Sequence, residues 1–277
     1  MAQARVGLKC WPTPPRGLDL KLVRHKAIEL LSRARLPTPQ ALAVTGSRVW
    51  GLESEDSDID VLAYGQYDSV VDVLGDFEGI ELEVTTVPID RIRARSLPFE
   101  MRWDIVTAVP LAIIDDFVTN AAARDSLLTL GEANCVLSHV IYRLSWLGVS
   151  PLPFELAGAK VYSYLDRYKK LSRANTFSLL AYSLHLLSIA QYVINRLPYP
   201  FAKWRIAHLN KLHIVSPRLL EFAESFTEEK LSLGYLLELV SKAFLETVEL
   251  AIKSGYLENG LENEEACREK ISFYPYL

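Results

Sequence analysis

Three carboxylates and a glycine–serine pair are the residues here whose types and spacing could do chemistry. Gly46-Ser47 follows a short apolar run, Asp58-Ile59-Asp60 opens a second, and Glu83 lies inside a third. The stretch reads TGSRVWGLESEDSDIDVLAYG, followed later by ELEVTTVPID. On a strand, Asp58 and Asp60 stand two positions apart and point to the same face. Carboxylates held that close repel and raise one another's proton affinity unless a cation lies between them. Hard oxygen donors on a rigid strand suit Mg2+, which takes a few carboxylates and fills its shell with water and phosphate oxygens. A third carboxylate from a neighbouring strand would complete a two-metal site for phosphoryl transfer, with Mn2+ as a substitute ion. Gly46 would let the backbone approach a ligand closely, and N–H groups at a helix start favour phosphate. Ser47 could add a hydroxyl hydrogen bond to a phosphate oxygen, and Arg48 a charge.

The elements that must position these groups are short. Residues 18–36 carry an amphipathic helical pattern, broken by Pro37 and Pro39. The spacing predicts a strand over Ala41–Val44, a short helix over 47–52, a strand over Ile59–Ala63 and a helix over Ser69–Phe77. It predicts another strand over Ile80–Val87, with Ile80, Leu82 and Val84 on one face and Glu81, Glu83 and Thr85 on the other. Glu81 and Glu83 therefore share a face, and the pattern alone does not choose between them. Further β structure is expected in Ile105–Ile114. Beyond about residue 116 the texture becomes helical, with long periodic stretches at 117–147, 154–171, 176–196 and 227–255. The expected fold is α+β: a mixed sheet flanked by helices in residues 1–115, then a helical bundle domain in residues 116–277 that binds substrate or acceptor.

Bulk composition narrows the class. The 277 residues are half hydrophobic and 23% charged, so a folded chain with a large core is expected. The net charge of −4 gives no global field for nucleic acid or anionic membrane. Cys10, Cys135 and Cys267 are few, odd in number and far apart, so neither a zinc knuckle nor a disulfide framework is expected. A reducing, cytoplasmic setting follows, and the first residues show no apolar leader. The uncharged stretch from Asn175 to Asn195 has the length of a membrane span, but its serines, His185 and Gln191 favour a buried bundle helix, so no membrane partner is expected. His185 then reads as a core histidine. Residues 160–213 are locally cationic, with Asp166 as their one acid. They could be solvated helix faces. Alternatively Lys160, Lys169, Lys170, Arg173, Lys203 and Arg205 could meet a triphosphate or an anionic acceptor, with Tyr162, Tyr164, Tyr168 and Trp204 stacking on a base.

The stretch GSRVWGLESEDSDIDV resembles the signature of the DNA-polymerase-β-like nucleotidyltransferases: a Gly-Ser pair, about ten residues, then Asp-x-Asp on a strand. LEVTTV resembles the third-carboxylate strand of the aminoglycoside adenylyltransferases. The resemblance covers residues 41–90 and elsewhere extends only to layout. It implies a nucleotidyltransferase fold in the N-terminal domain, Gly46 and Ser47 on the triphosphate, Asp58 and Asp60 on the metals, and Glu83 rather than Glu81 as third ligand or base. It further implies an NTP substrate, ATP by default, whose nucleoside monophosphate passes to a hydroxyl with release of pyrophosphate. The acceptor is left open among nucleic acid, protein and small molecule.

Blander uses exist for the same residues. Asp58 and Asp60 could belong to a solvated acidic turn, as Asp56 does on this reading. Ser47 could be an ordinary helix cap, and Glu83 an exposed edge position. A haloacid-dehalogenase-type phosphatase places its apolar strand before Asp-x-Asp, whereas here it follows. A glycosyltransferase with Asp-x-Asp needs no upstream Gly-Ser, and the P-loop pattern is absent. From a different class, a non-catalytic nucleotide-binding or toxin–antitoxin-like module could use the same fold. The presence of all three carboxylates speaks for catalysis.

Overall fold

The computed structural model describes residues 7–111, 116–147, 149, 173–226, 232–258, 260–262, 265 and 267. They fall into two compact units, one of residues 10–127 and one of 128 onward together with residues 7–9. The expected boundary at 115/116 lies ahead of a helix that belongs to the first unit.

In the first unit, helix α1 (Leu20–Arg33) is capped by the Asp19 carboxylate on Lys21 N and Leu22 N. It is followed by β1 (Ala41–Thr45), α2 (Ser47–Trp50), β2 (Ile59–Gly65), β3 (Asp72–Phe77) and β4 (Ile80–Pro88). Then come α3 (Ile89–Arg93), α4 (Phe99–Thr107), β5 (Val109–Pro110) and α5 (Asp116–Ser126). The sheet runs β3-β4-β2-β1-β5, parallel between β2 and β4 and antiparallel elsewhere. Alternation sorts its faces. Val44, Ile59, Val61, Leu82 and Val84 pack under α1, through Val23, Ala27 and Leu31. On the other face Ala43, Leu62, Tyr64 and Val87 pack with Ile89, Ile92, Ile105 and Ala122.

Two expectations are corrected here. Ser69–Phe77 holds a strand, β3, and not a helix. Val70, Val71, Val73, Leu74 and Phe77 fit a helical stripe, but Val73, Gly75 and Phe77 also share one strand face. The hairpin turn decides: Glu78 and Gly79 both have positive φ (54° and 86°), which matches the twist of a tight antiparallel hairpin. Gly75 is needed as well, because a Cβ there would lie 2.5 Å from the Leu30 side chain of α1. Among the described residues of Ile105–Ile114, Ile105–Thr107 finish α4 and Val109–Pro110 is strand, with the Trp103–Thr107 turn closed by the Thr107 hydroxyl on the Trp103 carbonyl.

The second unit is helical, with α6 (Leu130–Trp146), α7 (Arg173–Ile194), α8 (Ala202–Arg205), α9 (Pro217–Ser225) and α10 (Leu233–Lys253). Thr129 and Glu132 cap α6 reciprocally, and Ser216 before Pro217 caps α9. By length and composition α7 could cross a membrane, but 67% of its most apolar window is buried. Its polar side chains have specific tasks. Gln191 donates to the Thr247 hydroxyl at 2.9 Å and accepts from Ser216 N at 2.9 Å. Asn195 donates to the Ile214 carbonyl at 2.6 Å and accepts from Ile214 N at 3.0 Å. The expected stretch 154–171 lies outside the described residues.

The cysteines are also corrected. Cys135 on α6 and Cys267 form a disulfide across 132 residues of sequence, and Cys10 is free and exposed. Spacing that long carries no pairing signal, and only the fold brings the two sulfurs together.

Candidate metal and phosphate site

Strand register assembles the site. Asp60 on β2 lies directly opposite Glu83 on parallel β4, and opposite Thr45 on β1. Asp58 stands one residue ahead of β2. The carboxylates of Asp58, Asp60 and Glu83 each offer an oxygen within 4.8 Å of the other two, and all three residues are half-buried. Glu81, one face-position further along β4, is exposed and pairs in register with Asp76 on β3, away from this cluster.

Gly46 is matched to Asp60. Its φ is +77°, and a Cβ built there would fall 1.7 Å from Asp60 Oδ2. The carboxylate thus occupies the space a side chain would take, and the backbone conformation itself disfavours one. Ser47 follows as the first residue of α2 and is buried.

Arg48 holds the loop. Its Nε donates to the Asp58 carbonyl at 2.8 Å, and its Nη2 donates to the Ser57 carbonyl. The Ser57 hydroxyl accepts from Ser54 N at 2.9 Å and closes the acidic turn. Asp58 is therefore fixed through its own main chain. The guanidinium expected to meet phosphate is engaged with carbonyl groups. Trp50 at the end of α2 stacks on buried Trp103 of α4, with centroids 5.9 Å apart and planes 10° from parallel. That contact anchors the helix that carries Ser47 and Arg48.

Burial lifts the Glu83 carboxyl above its ordinary proton affinity, and the charges of Asp72, Asp58 and Glu81 push it the same way. Asp72 was missed in the sequence because its segment read as helix. On β3 it accepts a hydrogen bond from the Thr85 hydroxyl at 2.8 Å. Leu74, opposite Glu83 in register, is 59% exposed. A hairpin reading of Glu78-Gly79 would have found both. The electrostatics are those of a site short of positive charge: several carboxylates share one face and one of them resists ionising. The donor set, three carboxylate oxygens, fits Mg2+, an ion that fills the rest of its shell with water and phosphate oxygens.

The other expected residues lie elsewhere. Lys160, Lys169, Lys170, Tyr162, Tyr164 and Tyr168 are outside the described residues. Lys203 belongs to the helical unit, exposed on α8, with its ammonium 5.4 Å from the Trp204 ring centre. Arg173 lies over the Phe177 ring at 5.7 Å. Arg205 is a core residue. It is buried, donates to the Pro200 carbonyl at 2.8 Å, meets a His185 ring nitrogen at 2.6 Å and lies 4.6 Å over the Tyr199 ring. His185 is held neutral by its burial and by that guanidinium, its proton affinity lowered to about 4.

No protein-family model matches this chain, and no curated protein matches it. Among solved structures, a nucleotidyltransferase-like protein from Exiguobacterium sibiricum 255-15 is similar over 85% of this chain and 76% of its own. The identity is 12% and the TM-score 0.43. A likeness of that size assigns no role to any residue, so the site stands on its own geometry.

Proposed function

We propose that the chain is a nucleotidyltransferase that moves a nucleoside monophosphate from an NTP to a hydroxyl acceptor and releases pyrophosphate. The observation that carries this reading is the convergence within 4.8 Å of Asp60 and Glu83, on adjacent parallel strands, with Asp58 just ahead of the first of them, beside a glycine that no other residue could replace without displacing Asp60. A structural acidic turn has no need of a third carboxylate from another strand, nor of a cleared backbone beneath one of its acids.

In this reading Asp58, Asp60 and Glu83 hold Mg2+, or Mn2+ in its place. The bound ion supplies charge neutralisation for the triphosphate and lowers the pKa of the attacking hydroxyl. The chain's own residues do the rest. Gly46 keeps the floor open beside Asp60, and Ser47 offers its hydroxyl to a phosphate oxygen. Arg48 acts as a positioning residue that fixes the 57–58 turn. The acceptor oxygen bonds to the α-phosphorus, the bond from that phosphorus to the bridging oxygen breaks, and pyrophosphate leaves. The acceptor proton passes to solvent, or to Glu83 where that carboxylate serves as base instead of metal ligand. ATP is the default donor, and Lys160 and Lys203 remain candidates for contacts to nucleotide or acceptor.

The test is label transfer. The protein is incubated with Mg2+ and each NTP labelled at the α-phosphate, with RNA, protein and small-molecule fractions of a cell extract supplied separately. Label in one fraction, lost in Asp58→Ala and Asp60→Ala, is the expected result and names the acceptor class. Nucleotide binding without any label in any fraction overturns the catalytic reading in favour of a nucleotide-binding module.

A further inference from the structure

A second cluster of metal-ligating side chains lies in the helical unit. Cys135 on α6 and Cys267 are 0% and 1% exposed, and their Cα atoms are 5.4 Å apart. Glu262 places a carboxylate oxygen within 4.8 Å of both sulfurs. The backbone that carries these partners is fastened to α6 independently of the sulfurs. Leu257 N donates to Asn134 Oδ1 at 3.1 Å, and Glu262 N donates to Ser138 Oγ at 2.8 Å. Asn134, Cys135 and Ser138 stand at i, i+1 and i+4 on α6, so all three attachments are made within about one turn.

We propose that Cys135, Glu262 and Cys267 form a redox-gated site for a soft divalent cation of the Zn2+ class. The site is closed while the sulfurs are bonded to each other and opens when they are reduced. The two backbone fastenings give the opened site its preorganisation, because they keep the 257–262 segment on α6 after the disulfide is broken. Two thiolates about 3.8 Å apart would hold a tetrahedral ion at Zn–S distances of about 2.3 Å, a separation that side-chain rotation alone can reach from the bonded state. Glu262 supplies the third donor and water the fourth. Thiolate with carboxylate selects Zn2+ over Mg2+, which the all-oxygen cluster prefers.

The chemistry balances with a dithiol reductant. The dithiol gives two electrons and two protons to the S–S bond, two protein thiols form, and the reductant leaves as its own disulfide. Zn2+ then displaces both thiol protons to solvent and binds as the bis-thiolate. The C-terminal segment is tied to α6 by a covalent bond in oxidising surroundings and by a metal in reducing ones. The reduced, metal-free chain holds it by these hydrogen bonds and by the buried side chains of Tyr256 and Leu257.

The experiment uses the full-length chain with Cys10→Ser, which removes the exposed free thiol, and Asp60→Ala, which weakens the carboxylate cluster. Zn2+ is titrated against a chromophoric chelator before and after dithiol reduction, and Co2+ is used as an optical probe. The expected result is one Zn2+ per chain in the reduced form only, with sulfur-to-cobalt charge-transfer absorption. It is lost in Cys267→Ser and weakened at least about tenfold in Glu262→Gln. Equal zinc binding in both redox states, no binding in the reduced state, or binding that survives Cys267→Ser would each overturn the proposal. Both cysteines are buried, so the oxidised-against-reduced comparison and Glu262→Gln, which leave both sulfurs in place, keep the test independent of any folding defect in Cys267→Ser. Because Asp60 is absent from the test protein, the outcome is independent of whether the chain transfers nucleotides.

Discussion

The two units use polar residues in opposite ways. In the sheet unit, Asp58, Asp60, Asp72 and Glu83 crowd one face, and burial together with the charges of Asp72, Asp58 and Glu81 raises the proton affinity of Glu83. In the helical unit, Gln191, Thr247, Ser216, Asn195 and Arg205 are buried, and each has a partner there. Like charges gathered on a face oppose folding, whereas satisfied polar groups in a core hold one arrangement of helices. The contrast teaches where function lies. A cluster that costs stability needs another reason to persist, and ligand binding is the usual one. Removing polar groups from the first unit should therefore cost activity and spare the fold, while removing them from the second should cost the fold.

The largest expected effect tests the first half of that contrast. Asp60→Ala should lower nucleotidyl transfer by on the order of 10²–10³-fold or more, since it removes a ligand for a preorganised charge-stabilising ion. Its melting temperature, measured without divalent cations, should equal or exceed that of the parent chain. Activity within a few-fold of the parent would remove Asp60 from the site. A collapse in stability would make the cluster structural.

Next in size is the disulfide, which closes a loop of 132 residues. Loop-closure entropy puts its contribution at about 5 kcal/mol as an upper figure. Cys267→Ser should lower denaturant stability in metal-free buffer by a large part of that and leave nucleotidyl transfer, assayed with Mg2+, unchanged. An unchanged unfolding midpoint would show that the disulfide adds nothing to the attachments that Leu257 and Glu262 already make to α6.

Gln191→Ala comes third. It strands Ser216 N in a buried place and takes away the donor to the Thr247 hydroxyl, which keeps its bond to the Ala243 carbonyl, and should cost about 1–3 kcal/mol of stability with no change in transfer rate. A loss of activity without a loss of stability would blur the division between the units.

Legibility followed the same line. Asp58, Asp60, Glu83 and Gly46 could be read because strand geometry repeats every two residues and the motif spans few of them. Parallel register then placed Asp60 opposite Glu83, which the sequence alone could not separate from Glu81. β3 was misread because its apolar residues fit both periods, and the deciding feature, two consecutive positive φ values, is a property of the turn. Asp72 was lost with it. In the helical unit, Arg205 looked like a surface cation because nothing local shows that His185, Tyr199 and the Pro200 carbonyl surround it. The Cys135–Cys267 pairing was illegible for the same reason: long-range contacts between helices leave no mark on short-range spacing.

The smallest effect is the most pointed test of the acidic face. Glu83 has a folded-state proton affinity above its ordinary value, so its sign is fixed. Well below that ordinary value the group is protonated folded or unfolded and is neutral to stability. As pH rises through the folded-state value, the folded chain must ionise a half-buried carboxylate beside Asp72 and Asp58, and stability is lost. Glu83→Gln has no such loss. Without divalent cations, its melting temperature should match the parent well below the ordinary carboxylate range and exceed it by a margin that widens as pH rises through the folded-state value and levels off above it. Mg2+ should then narrow the margin from the parent's side, because a cation among the carboxylates offsets the repulsion that opened it. A margin that does not grow with pH would mean that Glu83 is not crowded by like charge. A margin that grows but ignores Mg2+ would leave the crowding real and the metal site wrong.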